Sequence, residues 1–172
     1  MRSPSGIAGD DHGALPPAFE RKVAAEGDAL ERIGSLPRPL VFTNGVFDIL
    51  HRGHVTYLDV ARRLGAALVV AVNTDASVRR LGKGSDRPVN ALADRMAVLA
   101  ALSAVDMVVP FDADTPRDLI RACLPDVLVK GGDYSAATTA GAEEVIAAGG
   151  RFVAIAFHHD RSTSALIRRL RR

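Results

Sequence analysis

Cysteine, tryptophan and long apolar runs are what this sequence lacks. Its 172 residues hold one cysteine, Cys123, and no tryptophan. A single thiol excludes an intrachain disulfide and any multi-thiolate metal site. Cys123 falls on an apolar helical pattern and reads as a small core residue. No stretch reaches the ~20 apolar residues that a membrane span requires, so no membrane association is expected. Met1 to Pro17 is rich in Gly, Pro, Ser and Asp and has no apolar h-region, so no secretory signal is expected either. The expectation is a cytoplasmic protein with a loose N-terminal arm. An excess of one charge is also missing, with 22 basic against 20 acidic residues. Arg168, Arg169, Arg171 and Arg172 cluster at the end of the chain, but no aromatics interleave them for base stacking. They read as a solvated face matching the negative end of a helix dipole, and no nucleic-acid partner is expected.

What is present is an ordinary globular composition, 48% apolar and 24% charged, in a chain long enough for one domain with a real core. Phe19 to Ile33 reads as a helix with Phe19, Val23, Leu30 and Ile33 on one face, weakened by Gly27. It would lie on the domain or on a partner subunit. Residues 34–39 break the chain. Then strands and helices alternate. Strands are expected at Leu40–Thr43, Leu68–Val72, Val105–Val109, Val127–Val129 and Phe152–Phe157. Helices are expected at His54–Leu64, from an Asn90 cap through Leu102, after a Thr115 cap with Pro116 in the first turn, at Ala142–Ala148, and at Ala165–Arg171. Asn73 to Val89 reads as a polar loop. Apolar strands alternating with helices imply an α/β, Rossmann-like doubly wound parallel sheet with helices on both faces, in a single domain. The division is an arm over 1–17, an N-terminal helix over 18–35 and the main domain over 36–172.

Open parallel sheets bind ligands beyond the carboxyl ends of their strands. Four strand exits here turn abruptly polar. They are Thr43-Asn44-Gly45, Asn73-Thr74-Asp75, Lys130-Gly131-Gly132-Asp133-Tyr134 and His158-His159-Asp160-Arg161-Ser162-Thr163-Ser164. The first runs through a glycine turn into a helix start carrying His51 and His54. Backbone N–H groups, a helix N-terminus and two imidazoles at one spot suit a polyphosphate. A pair of capping or half-buried histidines is the plainer alternative. A zinc site is weaker, because no thiolate or helically spaced carboxylate completes it.

Lys83, in a Gly-Lys-Gly loop, is either a solvated surface cation or a lid closing over phosphates. The glycine spacing is not that of a Walker A loop. Lys130 directly follows a buried strand, where a lysine needs a partner. Asp133 could pair with it, but its place at the ligand edge favours anion binding. Ser162, Thr163 and Ser164 precede the final helix and serve equally as caps or as a phosphate site.

The segment from Thr43 to His54 resembles the first motif of the HxGH nucleotidyltransferase superfamily, cytidylyltransferase-like branch. Further similarity lies in Asn73 to Val78, Arg87-Pro88, Asp94-Arg95 with Val98-Leu99, Val105-Asp106, Asp114-Thr115-Pro116, Val129 to Tyr134, and Ser162-Thr163-Ser164. Within the branch these segments resemble the adenylyltransferases that act on heptose 1-phosphate, which in many bacteria form one half of a bifunctional protein. The resemblance covers about Pro39 to Leu170 and implies a stand-alone form without the kinase half. Val46 stands where the family usually has Cys, Ser164 where Thr is common, and Asp94 where relatives often have Glu.

The resemblance implies AMP transfer from ATP to D-glycero-β-D-manno-heptose 1-phosphate, giving ADP-heptose for lipopolysaccharide inner-core synthesis, with Mg²⁺ accompanying the triphosphate and no dedicated protein metal site. His51, His54 and Lys83 would be catalytic. Thr43, Asn44, Gly45, Phe47, Asp48, Asn73, Asp75, Arg87, Lys130, Gly131, Asp133 and Ser162 to Ser164 would bind the nucleotide and sugar phosphate. Asp48 and Asp133 would meet hydroxyls, ribose or Mg²⁺, and Arg87 would bind the sugar phosphate or hold its loop. A homo-oligomer is expected. Two alternatives stand beside this reading: a cytidylyltransferase acting on glycerol 3-phosphate or phosphoethanolamine, and a non-catalytic nucleotide-binding module.

Overall fold

A computed structural model of the protein describes residues 15–25, 27–82 and 86–156. Five apolar runs form strands: β1 (Leu40–Gly45), β2 (Ala67–Asn73), β3 (Met107–Phe111), β4 (Val127–Gly131) and β5 (Arg151–Ile155). They make one parallel sheet in the order β3-β2-β1-β4-β5. The chain builds outward from β1 to β3, then returns so that β4 lies on the other side of β1. That reversal is the topological switch point of a doubly wound sheet.

The alternation of side chains along each strand explains why the strands are apolar throughout. Val41, Val70, Val108 and Val129 face one core, which Tyr57, Leu58 and Ala61 of α2 (Arg52–Arg62) and Met96 and Leu99 of α4 (Leu92–Ala100) complete. Phe42, Val69, Val109 and Leu128 face the other. There α1 (Ala29–Gly34), α5 (Arg117–Cys123) and α6 (Ala142–Ala147) supply Ile33, Ile120 and Val145. Each such buried side chain contributes roughly 1.5–3 kcal/mol. Cys123 packs at the edge of this second core, and burial pushes its thiol up to about 12, so it is inert at neutral pH.

Four sequence expectations are corrected. The single helix over Phe19–Ile33 is broken into a 3₁₀ turn at Glu20–Lys22 and α1, because Val23 pairs with Val108 as a parallel bridge and the Ala24 amide donates to the Val108 carbonyl at 2.9 Å. Asn73–Val89 is not all loop: α3 (Asp75–Arg80) forms there, with the Thr74 hydroxyl accepting from the Ser77 amide as N-cap. Asn90 does not cap α4, whose N-cap is Ala91. Thr115 does not cap α5, whose N-cap is Pro116, with no side-chain cap. The helix expected over Ala165–Arg171 lies outside the described residues. Among the described residues, no helix is long and apolar enough to cross a membrane.

Candidate active site

The switch point is where the site forms. β1 ends at Asn44-Gly45, and the chain then turns through 46–51 into α2. Phe47 sits in this turn with φ +46°, a left-handed conformation that a bulky side chain adopts only when its surroundings hold it. Gly45 leaves room for its ring, since a Cβ there would stand 3.0 Å from Phe47 Cε2 and the ring would have to shift.

Two arginines hold the turn. Arg95 of α4, wholly buried, donates to the carbonyls of Val46 (2.7 Å), Asn73 (2.8 Å) and Asn90 (3.0 Å) and pairs with Asp75 at 2.7 Å. Arg87 forms a buried ion pair with Asp48 at 2.5 Å. The other Asp48 oxygen accepts from the amides of Val89 (2.8 Å) and Asn90 (2.9 Å), and Asn90 Nδ2 donates back to the Asp48 carbonyl. The loop that carries Arg87 is thereby tied to the turn that leads to His51.

His51 is the N-cap of α2 and His54 lies in its first turn. Their rings stack with centroids 3.8 Å apart, and Phe47 meets His54 edge-on at 5.4 Å. Burial first, and the neighbouring His51 second, lower the His54 pKa to about 4. His54 is therefore neutral at pH 7. Its Nδ1 is buried without a hydrogen-bond partner among the described residues, so the Nε2–H tautomer, which leaves a lone pair rather than a proton stranded, is the cheaper one there.

Across the switch point, Lys130 at the end of β4 donates to the Asn44 carbonyl at 3.1 Å, and its ammonium lies 5.8 Å from the Tyr134 ring. A cleft of about 550 Å³ opens here. It brings together the sequence-predicted residues Asn44, Gly45, Phe47, His54, Asn73, Lys130 and Gly131. Asn44 Oδ1 is buried with no hydrogen-bond partner among the described residues.

Other predicted residues lie off the cleft wall. His51 backs His54 from behind. Thr43 is buried, its hydroxyl 2.5 Å from the Tyr57 hydroxyl in the core. Asp48 and Arg87 are taken up by each other and Asp75 by Arg95, so these three brace the turn. Asp133 is exposed beside the cleft rather than in its wall. Lys83, Ser162, Thr163 and Ser164 lie outside the described residues. The sequence reading missed Tyr57, Thr138 and Thr139, which line the cleft, and gave no site role to Asp114, Thr115 and Tyr134, which lie in segments it singled out and also line it. Asp114 and Thr115 follow the β3 exit, and the signal for their role was their place in a polar strand tip. Thr138 and Thr139 sit in a turn with no such signal.

An open parallel sheet with a polar cleft at its switch point, edged by an imidazole and an ammonium, is a nucleotide-binding α/β arrangement. The chain belongs to the cytidylyltransferase-like family, which its residues 42–169 match. The D-beta-D-heptose 1-phosphate adenylyltransferase of Bordetella bronchiseptica is 59% identical over 155 residues, 89% of this chain and 96% of that protein. The bifunctional protein HldE of Nitrosococcus oceani is 52% identical over 155 residues, 88% of this chain and 33% of that protein, so the chain spans about a third of the bifunctional relative. Among solved structures, the lipopolysaccharide core biosynthesis protein of Thermoplasma volcanium matches with a TM-score of 0.56 and 28% identity over 71% of this chain and 98% of that one. Pantoate-beta-alanine ligase from Francisella tularensis, complexed with beta-gamma ATP and beta-alanine, shares the fold, with a TM-score of 0.56 and 14% identity over 83% of this chain and 68% of that one.

Proposed function

We propose that this chain transfers AMP from ATP to D-glycero-β-D-manno-heptose 1-phosphate, releasing pyrophosphate and giving ADP-heptose for lipopolysaccharide inner-core synthesis. One observation carries the reading: His54 and Lys130 edge a single cleft at the switch point, in a chain 59% identical to a heptose 1-phosphate adenylyltransferase along nearly its whole length.

The sugar phosphate oxygen attacks the α-phosphorus in line, and the bond to the β-phosphate bridging oxygen breaks. The nucleophile is already an anion, so no general base is required and no covalent enzyme intermediate forms. The barrier is electrostatic, because two anions meet and charge grows on the departing pyrophosphate. Donors fixed in advance lower it by binding the transition state more tightly than the ground state.

His54 donates Nε2–H to the triphosphate, with His51 stacked behind it to fix the ring. Lys130 meets the α-phosphate or the sugar phosphate. The amides of the 45–47 turn and the start of α2 hold phosphate oxygens further along. Lys83 and the Ser162–Ser164 segment are assigned to the same phosphates from the sequence, by their loop and helix-start settings together with the resemblance. Mg²⁺ enters with ATP. The phosphates would carry most of its coordination.

The cytoplasm, where ATP is available, is the proposed compartment. The proposed assembly is a homo-oligomer, with Leu30 half exposed on α1 as an apolar group available to a partner. Light scattering on the purified protein measures the latter directly. The reaction is tested by pyrophosphate release over pairs of nucleotide and phosphate acceptor. ATP with heptose 1-phosphate is expected to give turnover. Release with CTP and glycerol 3-phosphate but not with that pair overturns the assignment, and ATP binding without turnover on any acceptor makes the chain a binding module.

A further inference from the structure

The cleft does not end at the phosphate-binding groups. Beyond Thr115, Thr138 and Thr139, which line both spaces, it continues into a second cavity of about 380 Å³ whose wall includes Arg117 and Glu143. The chemistry changes along the way. Near β1 and β4 the cleft presents an ammonium and an imidazole. At the far end it presents hydroxyls, the Glu143 carboxylate and the Arg117 guanidinium, whose charge is countered by Glu144.

The groups at that end differ in what they still offer. The Thr139 hydroxyl donates to the Ser135 carbonyl at 2.8 Å. Thr138 Oγ1 closes a reciprocal capping box with Ser135. These bonds fix the 135–139 turn as a rigid wall. Arg117 is turned to Glu144, 3.4 Å away. Asp114, on the cleft side, pairs with Arg80 at 2.9 Å. Thr115 and Glu143 make no side-chain hydrogen bond or ion pair with any described residue.

We infer that Thr115 and Glu143 form the subsite for the hydroxyl-bearing end of the acceptor sugar, and that they determine acceptor specificity. The inference rests on the reading of the chain as a sugar-phosphate adenylyltransferase. A sugar 1-phosphate carries a dianion at one end and neutral hydroxyls at the other. A carboxylate accepts two hydroxyl donors in a charge-assisted pair of hydrogen bonds. The same carboxylate repels a phosphate, so it rejects the reversed orientation as well as favouring the correct one. With the dianion at Lys130 and the polyol at Glu143, the acceptor has one way to lie. A site that hydrogen-bonds a hydroxyl discriminates strongly against an acceptor that lacks it.

The experiment compares heptose 1-phosphate with β-D-mannose 1-phosphate, the same ring shorter by one carbinol, as acceptors with ATP. Wild-type protein, Glu143→Gln and Thr115→Val are measured for kcat and KM with each acceptor and for KM of ATP. The expected result is that Glu143→Gln raises the KM for heptose 1-phosphate at least tenfold more than it raises the KM for mannose 1-phosphate. Thr115→Val is expected to act in the same direction to a smaller degree, and the KM for ATP is expected to move less than twofold in both. Both side chains are exposed, and a thermal melt of each variant verifies the fold. A selective wild type whose preference survives both substitutions overturns the subsite. Equal losses on both acceptors also overturn it, since they mark a structural role. A wild type that turns over neither sugar overturns the reading of the enzyme, and the subsite with it.

Discussion

The imidazoles of His51 and His54 lie face to face, 21° from parallel with their centroids 3.8 Å apart. Two rings this close oppose double protonation, and the burial of His54 adds to the effect. On the proposed mechanism, a neutral His54 donates a hydrogen bond and full positive charge is left to lysine.

That protonation state makes stability depend on pH. The folded His54 titrates at about 4 against 6.5 for an ordinary histidine. Between those values the unfolded chain binds the proton that the folded chain refuses, so stability rises with pH. The contribution is complete above about pH 6.5 and is lost as pH falls towards 4. Thermal melts at half-unit steps from pH 4 to 7 are expected to show a rising midpoint, and His54→Asn is expected to flatten part of that rise. Identical slopes in both proteins would place the proton elsewhere.

Removing the ring tests catalysis. His54→Ala is expected to lower kcat by ~10²–10³, the scale for losing one preorganised transition-state donor. Pyrophosphate release under saturating substrates measures it, with circular dichroism as the check on folding. Near-normal turnover by a folded variant would remove His54 from the chemistry.

Lys130 should respond differently. Lys130→Met retains most of the stem but loses the ammonium, and with it the bond to the Asn44 carbonyl. Charge-assisted hydrogen bonds are worth about 1.5–3 kcal/mol, so kcat/KM is expected to fall by roughly 10–100-fold. Initial-rate kinetics with each substrate varied in turn would read the loss. An unchanged kcat/KM would mean that the lysine serves only to join the two strand ends.

Arg95 is expected to matter for folding before it matters for rate. Arg95→Met strands Asp75 and three carbonyls that the guanidinium now satisfies. Asp75 is partly exposed, so the main cost is the stranded buried carbonyls, about 1–3 kcal/mol for each left unsatisfied. Urea denaturation of the two proteins measures this, and a loss under about 1 kcal/mol would contradict the assigned role.

The strands were legible in the sequence because burial on both faces demands continuous apolar runs, and Leu68–Val72 could be little else. The polar strand exits were legible for the same reason, since polarity returns where the sheet ends. What escaped depended on partners far along the chain. Val23 left its helical period to pair with Val108. Asn90 left its cap position for Asp48. The acidic Asp48 looked like a ligand contact, and nothing local to it announced Arg87 as its counterion. Helix α3 was hidden by a polar composition, although Thr74 followed by Asp75 is an N-terminal signal. Thr138 and Thr139 reached the cleft through a turn whose position only the assembled sheet determines.

The contact between Lys130 and Asn44 joins residues 86 positions apart, on strands that become neighbours only when the chain doubles back. During synthesis the histidine-bearing half emerges first and can pair β1 with β2 and β3, yet one side of the nucleotide's berth is still inside the ribosome. On the proposed reading, full competence to react thus arrives late, with the docking of β4.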